Sequence, residues 1–152
     1  QGDPKEVFRL GRVFRDGGAG EPNPKLALLF FLTAAKKGYP PAQNYLGFLH
    51  QKGKGVPQDP REAVRWYRRS AGQGFAIAQI NLGIMYVQGR GVQRDRAEAY
   101  FWLVLAERRS RGKIKAKAGD LRFAIERSLL PEQVKAARVR ADKWRPRPVR
   151  RQ

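Results

Sequence analysis

His50 is the only histidine of the chain, and the only side chain whose ordinary titration makes it a base near neutral pH. Catalysis would require a nucleophile beside it. Cysteine is absent, which removes thiol chemistry, disulfides, iron–sulfur clusters and cysteine zinc sites. A single histidine also excludes metal sites built from two, such as a HExxH helix. The acyl-transfer spacing Ser-x-x-Lys occurs only at Ser110-Arg111-Gly112-Lys113, because Ser70 and Ser128 are followed three residues on by Gln73 and Pro131. That stretch reads as a loop. Gly53-Lys54-Gly55 and Gly89-Arg90-Gly91 lack the third glycine and the preceding strand of a dinucleotide loop. No catalytic residue, metal ligand or cofactor is therefore assigned, and an enzyme is not expected.

The two Gly-x-Gly sequences lie 36 residues apart, and the same shift superimposes most of the chain on itself. Ala42-Gln43-Asn44-Tyr45-Leu46-Gly47 falls on Ala78-Gln79-Ile80-Asn81-Leu82-Gly83, Asp59 on Asp95, Ala63 on Ala99 and Trp66 on Trp102. Backwards, Leu10-Gly11 falls on Leu46-Gly47 and Asn23-Pro24 on Asp59-Pro60. Each period reads as two helices. Ala78, Leu82, Met85 and Tyr86 share one face of the first. Gly89 ends it, and Asp95 caps the second through free backbone N–H groups. Asp59-Pro60 and Asn23-Pro24 add a proline at the first helical position. The second helix turns Ala63, Trp66, Tyr67 and Ala71 inward. His50 falls on Tyr86 and Phe14, so it is expected to pack as a core residue. Repeat one has Gly17-Gly18-Ala19-Gly20 in place of the Gly-x-Gly-Val loop, so an irregular loop is expected there.

After Ser110 the pattern stops. Arg111 to Lys113 reads as a loop, Ile114 to Leu129 as a helix with Ile114, Ala118, Leu121, Ile125 and Leu129 on one face. Pro131 opens another helix carrying Val134, Ala137, Ala141 and Trp144. The expectation is an all-α, right-handed α-solenoid: three helix pairs at about 5–38, 39–74 and 75–109, a closing helix pair at 110–145, and a basic disordered tail at 146–152.

Ala76-Ile77-Ala78-Gln79 through Leu82-Gly83, Tyr86, Gly89-Arg90-Gly91-Val92, and Asp59 through Trp66-Tyr67 to Ala71, resemble the Sel-like (Sel-one-like) repeat, a helix–turn–helix relative of the tetratricopeptide repeat. The resemblance runs from about Val7 to Glu107. The end, Leu130-Pro131-Glu132-Gln133 with Trp144, is similar to the closing helix of many bacterial members. The resemblance implies an adaptor or scaffold that binds a protein or peptide. It also implies export to the periplasm or cell surface; a start at Gln1-Gly2-Asp3 reads either as a mature product after signal-peptide cleavage or as a trimmed chain, and a cytoplasmic location is the alternative.

Side chains opposite the core face of each first helix should line the concave groove. These are Arg9, Arg12 and Arg15 in repeat one, Tyr45, Phe48 and Gln51 in repeat two, and Asn81, Ile84 and Val87 in repeat three. The framework recurs while these positions vary, as expected of a surface fitted to a partner. Tyr45, Phe48 and Ile84 would anchor it and the arginines would meet carboxylates.

Charge narrows the partner. Lys and Arg number 32 against 13 acids, a formal net charge of +19. From Glu107 onward there are 16 Lys/Arg and 5 acids. Lys113, Lys115, Lys117, Arg138, Arg145 and Arg147 are expected to contact an anionic surface and to steer an acidic partner. The alternative is a polyanion binder, acting on an envelope polymer, a membrane surface or, less favoured, nucleic acid. The longest apolar run, Leu26 to Leu32, is far shorter than the ~18 residues a membrane span requires.

Overall fold

The computed structural model describes residues 2–18 and 20–147. Helices occupy α1 (Pro4–Asp16), α2 (Pro24–Lys36), α3 (Pro40–Lys52), α4 (Pro60–Gly72), α5 (Ala76–Gln88), α6 (Arg96–Arg108), α7 (Gly112–Glu126) and α8 (Pro131–Lys143). No strand occurs among the described residues. The caps are those the residue types dictate. Asn23 accepts from the Leu26 N–H at 3.0 Å, Asp59 from Arg61 at 2.9 Å and Asp95 from Glu98 at 2.9 Å. Each such cap stabilises its helix by about 1 kcal/mol.

The chain is an all-α solenoid. α1 pairs with α2, α3 with α4 and α5 with α6, and α2–α3 and α4–α5 contacts join one pair to the next. The core follows that stacking. Ala63, Tyr67, Ala71, Ala78, Leu82 and Met85 form one cluster spanning the second and third pairs. Trp66 instead joins a cluster with Phe31, Ala42 and Leu46. The repeated glycine of each first helix is where the paired helix lands. A Cβ on Gly11 would meet the Phe31 ring at 2.6 Å, one on Gly47 the Tyr67 ring at 2.6 Å, and one on Gly83 Leu103 at 3.1 Å.

The carboxy-terminal region departs from the expected simple closing pair. α7 begins at Gly112, so Lys113 is helical and not in a loop, and it ends at Glu126 instead of Leu129. α7 and α8 each pack on α6 more than on one another. Ala118 of α7 joins Ile80, Leu103 and Ala106, whereas Ala137 and Ala141 of α8 join Tyr100, Phe101, Val104 and Leu105. α6 is thus covered on two sides. The splay leaves Phe123, Leu130 and Val139 exposed. Of the expected tail, Arg147 donates its backbone N–H to the Gly72 carbonyl at 2.8 Å, and residues 148–152 lie outside the described residues.

Candidate functional site

The chemistry-bearing residues named first are not assembled into a site. The Ser110 hydroxyl donates to the Ala106 carbonyl at 2.5 Å, and Lys113 lies in the first turn of α7. His50 is half-buried, and its Nδ1 is enclosed without a hydrogen-bond partner among the described residues. The equivalent Tyr86 hydroxyl receives a bond from Arg68 at 2.8 Å. Thirty-six residues before Arg68 the chain has Leu32, which offers no such group. An enclosed, unpaired ring nitrogen is a net cost. His50→Phe, which copies Phe14 of repeat one, should therefore stabilise the fold by about 1 kcal/mol, read as a higher urea midpoint at unchanged slope.

The nine groove candidates separate into three kinds. Arg15, Tyr45 and Phe48 come together. The Arg15 guanidinium donates to the Tyr45 hydroxyl at 3.2 Å, and the Tyr45 and Phe48 rings stack with centroids 6.1 Å apart. The Lys54 ammonium stands 5.4 Å from the Phe48 centroid, within cation–π range. Tyr45 also packs edge-on against Phe31 at 4.7 Å, so its ring belongs partly to the core. Arg15 is further tied to Asp16 at 2.7 Å, and that bond holds the exposed Asp16 carboxyl below the usual carboxylate range.

A second kind is engaged in structure. Gln51 accepts from the Tyr67 hydroxyl at 2.7 Å, Asn81 donates to Asn44 at 2.9 Å, and Ile84 packs against the cluster that α7 completes. Burial pushes the Tyr67 phenol well above its ordinary pKa, so that proton stays on the hydroxyl. The third kind is available. Arg12 is exposed and has no hydrogen-bond or ionic partner among the described residues. Arg9 is exposed and holds only a surface bridge to Glu6 at 2.8 Å, and Val87 is half-buried.

The expected basic surface also divides. Lys113, Lys115 and Lys117 are exposed along the first turns of α7, with no acid paired to them among the described residues. Arg138 is instead drawn inward, donating to the Tyr100 hydroxyl at 2.9 Å and pairing with Glu126 at 3.1 Å. Glu126 also receives Arg122 at 2.5 Å, and Arg122 pairs with Glu107 at 2.6 Å. This network joins α6, α7 and α8. Arg145 donates to the carbonyls of Asp142 and Trp144 at 2.9 and 2.8 Å.

One pair of residues had no role assigned from sequence. Gln43 and Gln79 are buried, and each donates its amide to a carbonyl of the preceding helix: Ala35 at 3.1 Å and Ala71 at 3.1 Å. The carbonyls near a helix end lack intrahelical partners, so this glutamine pins one repeat to the next. Its recurrence in both repeats was the available signal, though the identity of the acceptor was not. Gln43 is completed by Gln73 at 2.8 Å; at the position equivalent to Gln73 stands Arg109, whose guanidinium lies over Trp144 at 5.1 Å, and Gln79 Oε1 has no partner among the described residues.

The sequence profile of the Sel1 repeat matches residues 7–39, 40–75 and 76–109. Among solved structures, the Sel1 repeat protein from Oxalobacter formigenes is similar at 36% identity and a TM-score of 0.72, over 78% of this chain and 89% of that one. A protective antigen present in uropathogenic Escherichia coli strains, c5321, displays an SLR fold and is similar at 32% identity and a TM-score of 0.82. That likeness covers 95% of this chain but 30% of the antigen. The cysteine-rich protein B of Helicobacter pylori shares the fold, at 18% identity and a TM-score of 0.61, over 74% of this chain and 89% of that one. None of the curated proteins matches the chain.

Proposed function

Because the chain belongs to the Sel1 repeat family, we propose that it is a non-enzymatic scaffold holding an acidic, partly apolar segment of another protein on the face formed by α1, α3 and α5. Repeats of this family generally mediate protein–protein interaction and are generally non-enzymatic. One observation carries the finer reading. Phe48 presents a half-buried ring stacked on Tyr45, with the Lys54 ammonium beside it. The unpaired Arg12 occupies the equivalent position one repeat earlier. An aromatic ring flanked by cations suits an apolar side chain embedded among carboxylates: the ring supplies desolvation, the charges supply encounter rate and orientation.

An exported, periplasmic location is part of this reading and fits the description of the E. coli relative as a protective antigen. No helix among the described residues is long and apolar enough to cross a membrane.

Selection of a displayed peptide library on the folded protein tests the site. The enriched peptides should combine acidic residues with one large apolar residue. Phe48→Ala should weaken them at least tenfold, and most of the affinity should survive 0.3 M salt. Peptides that bind Phe48→Ala as well as the parent would remove the groove from consideration. The exposed Lys113, Lys115 and Lys117 favour a second reading, attraction of a polyanion to α7. That reading requires an affinity that collapses steeply with salt, as counterion release dictates.

A further inference from the structure

A cleft of about 620 Å³ lies between α4, α6 and α8. None of the nine groove candidates lines it. Its size falls in the usual range for small-molecule sites. Arg68 and Arg69 enter from α4, Arg140 and Lys143 from α8, and Arg145 and Arg147 from the segment that follows. The fold therefore brings together cations about 75 positions apart in sequence.

A single carboxylate, Glu98, lines the cleft, and it is already taken. Arg140 binds both of its oxygens, and the Trp102 indole N–H donates to it at 3.0 Å. The other five cations have no ionic partner among the described residues. Arg68 meets only the Tyr86 hydroxyl at 2.8 Å, and Arg69 lies over the Trp66 ring at 4.6 Å. Arg145 donates only to the two carbonyls already described. Like charges gathered in this way repel. Two contacts nevertheless hold the terminal segment in place: the Arg147 N–H on the Gly72 carbonyl at 2.8 Å, and the Trp144 indole against Trp102, centroids 6.5 Å apart and planes at 77°.

We infer that this cleft binds a small polyphosphate anion, its phosphates held by the guanidinium groups of Arg68, Arg69, Arg145 and Arg147. Guanidinium is the side chain that grips phosphate oxygens in pairs. The indoles of Trp102 and Trp144, edge to face at 77°, line the same cleft, and an indole face is a surface on which the base of a nucleotide stacks. The inference is independent of the groove reading, since it uses none of the same residues.

Titration calorimetry on the full chain at 0.15 M salt, without divalent metal, decides it, with ADP and inorganic pyrophosphate as the two probes. ADP should bind once per chain. Arg68→Gln with Arg69→Gln, both on exposed side chains, should weaken it at least tenfold with unchanged circular dichroism. Changing Lys25, Lys36 and Lys52, all exposed and away from the cleft, to Gln removes one more charge but should alter affinity less than twofold. Tighter binding of ADP than of pyrophosphate identifies a nucleotide site; equal binding identifies an inorganic polyphosphate site. Absence of saturable binding of either probe, or an equal loss in the lysine variant, would overturn the inference.

Discussion

Gly91→Ala should destabilise the fold by about 3–5 kcal/mol, whereas Gly55→Ala, its equivalent one repeat earlier, should lose only about 1–2 kcal/mol. The two glycines have nearly the same left-handed backbone, φ +68° and +72°. That conformation alone disfavours any residue with a Cβ by about 1–2 kcal/mol, so it contributes equally to both variants. Their surroundings differ. A Cβ on Gly55 would meet nothing within 4 Å. On Gly91 it would sit inside the Pro60 carbonyl group and 2.8 Å from the Arg61 nitrogen. Backbone at the capped start of α4 cannot swing aside as a side chain can. The third repeat's loop must therefore lift off the second repeat, or α4 must lose its first turn. Overpacking of this kind adds about 1–3 kcal/mol or more. Urea unfolding of both variants measures the difference directly, and equal losses would mean that this loop does not rest on α4.

Gly47→Ala and Gly83→Ala should likewise diverge, the first costing about 2 kcal/mol and the second lying within about 1 kcal/mol of zero. Alanine favours a helix interior over glycine by about 1 kcal/mol, a gain common to both sites. Against it stands the side chain that crosses each glycine. The Tyr67 ring is fully buried, lies 2.6 Å from the would-be Cβ of Gly47, and is tethered through its hydroxyl to Gln51. It has nowhere to withdraw. Leu103 lies 3.1 Å from the would-be Cβ of Gly83 and can rotate by the few tenths of an ångström required. In a Tyr67→Leu background, which copies repeat three, Gly47→Ala should become nearly neutral. The cycle of four proteins should then give a coupling of about 2 kcal/mol. Additive losses would show that the ring and the glycine do not share one space.

Much of this architecture was legible before any coordinates. The 36-residue self-match, the Asn23, Asp59 and Asp95 caps and the inward Ala63, Trp66, Tyr67 and Ala71 all reappear where the pattern placed them. Each depends on residues within a turn or two of one another, and side-chain type constrains backbone most strongly over that range. The small residues Gly47 and Gly83 were legible as close-approach sites. The side chains that cross them were not: Phe31, Tyr67 and Leu103 share one register of the shift, but only the coordinates set them on Gly11, Gly47 and Gly83.

The candidate sites were less legible, for a different reason. Opposite-face periodicity placed Arg9, Arg12 and Arg15 together, yet Arg12 has no partner among the described residues, Arg9 is weakly bridged and Arg15 is bound to Asp16 and Tyr45. The ionic partners are near in sequence, Glu6 for Arg9 and Asp16 for Arg15, but the Arg15 bond to the Tyr45 hydroxyl depends on a residue 30 positions away. Arg138 belonged by composition to an anion-binding surface, and the fold gives it to Glu126 and Tyr100.

By itself, then, the sequence determined the repeat, its helix pairs and the positions where they touch, because a period-36 pattern of caps, glycines and apolar faces leaves a stack of pairs as the arrangement that buries them all. Only the tertiary structure decided which charges remain unpaired. α7 and α8 splay across α6, and the segment after α8 returns to α4. Pairs within a turn, such as Arg9–Glu6 and Arg122–Glu126, are open to a local pattern; Arg138–Glu126 and Arg140–Glu98 depend on distances of a few ångströms between side chains remote in the chain, which no local pattern encodes.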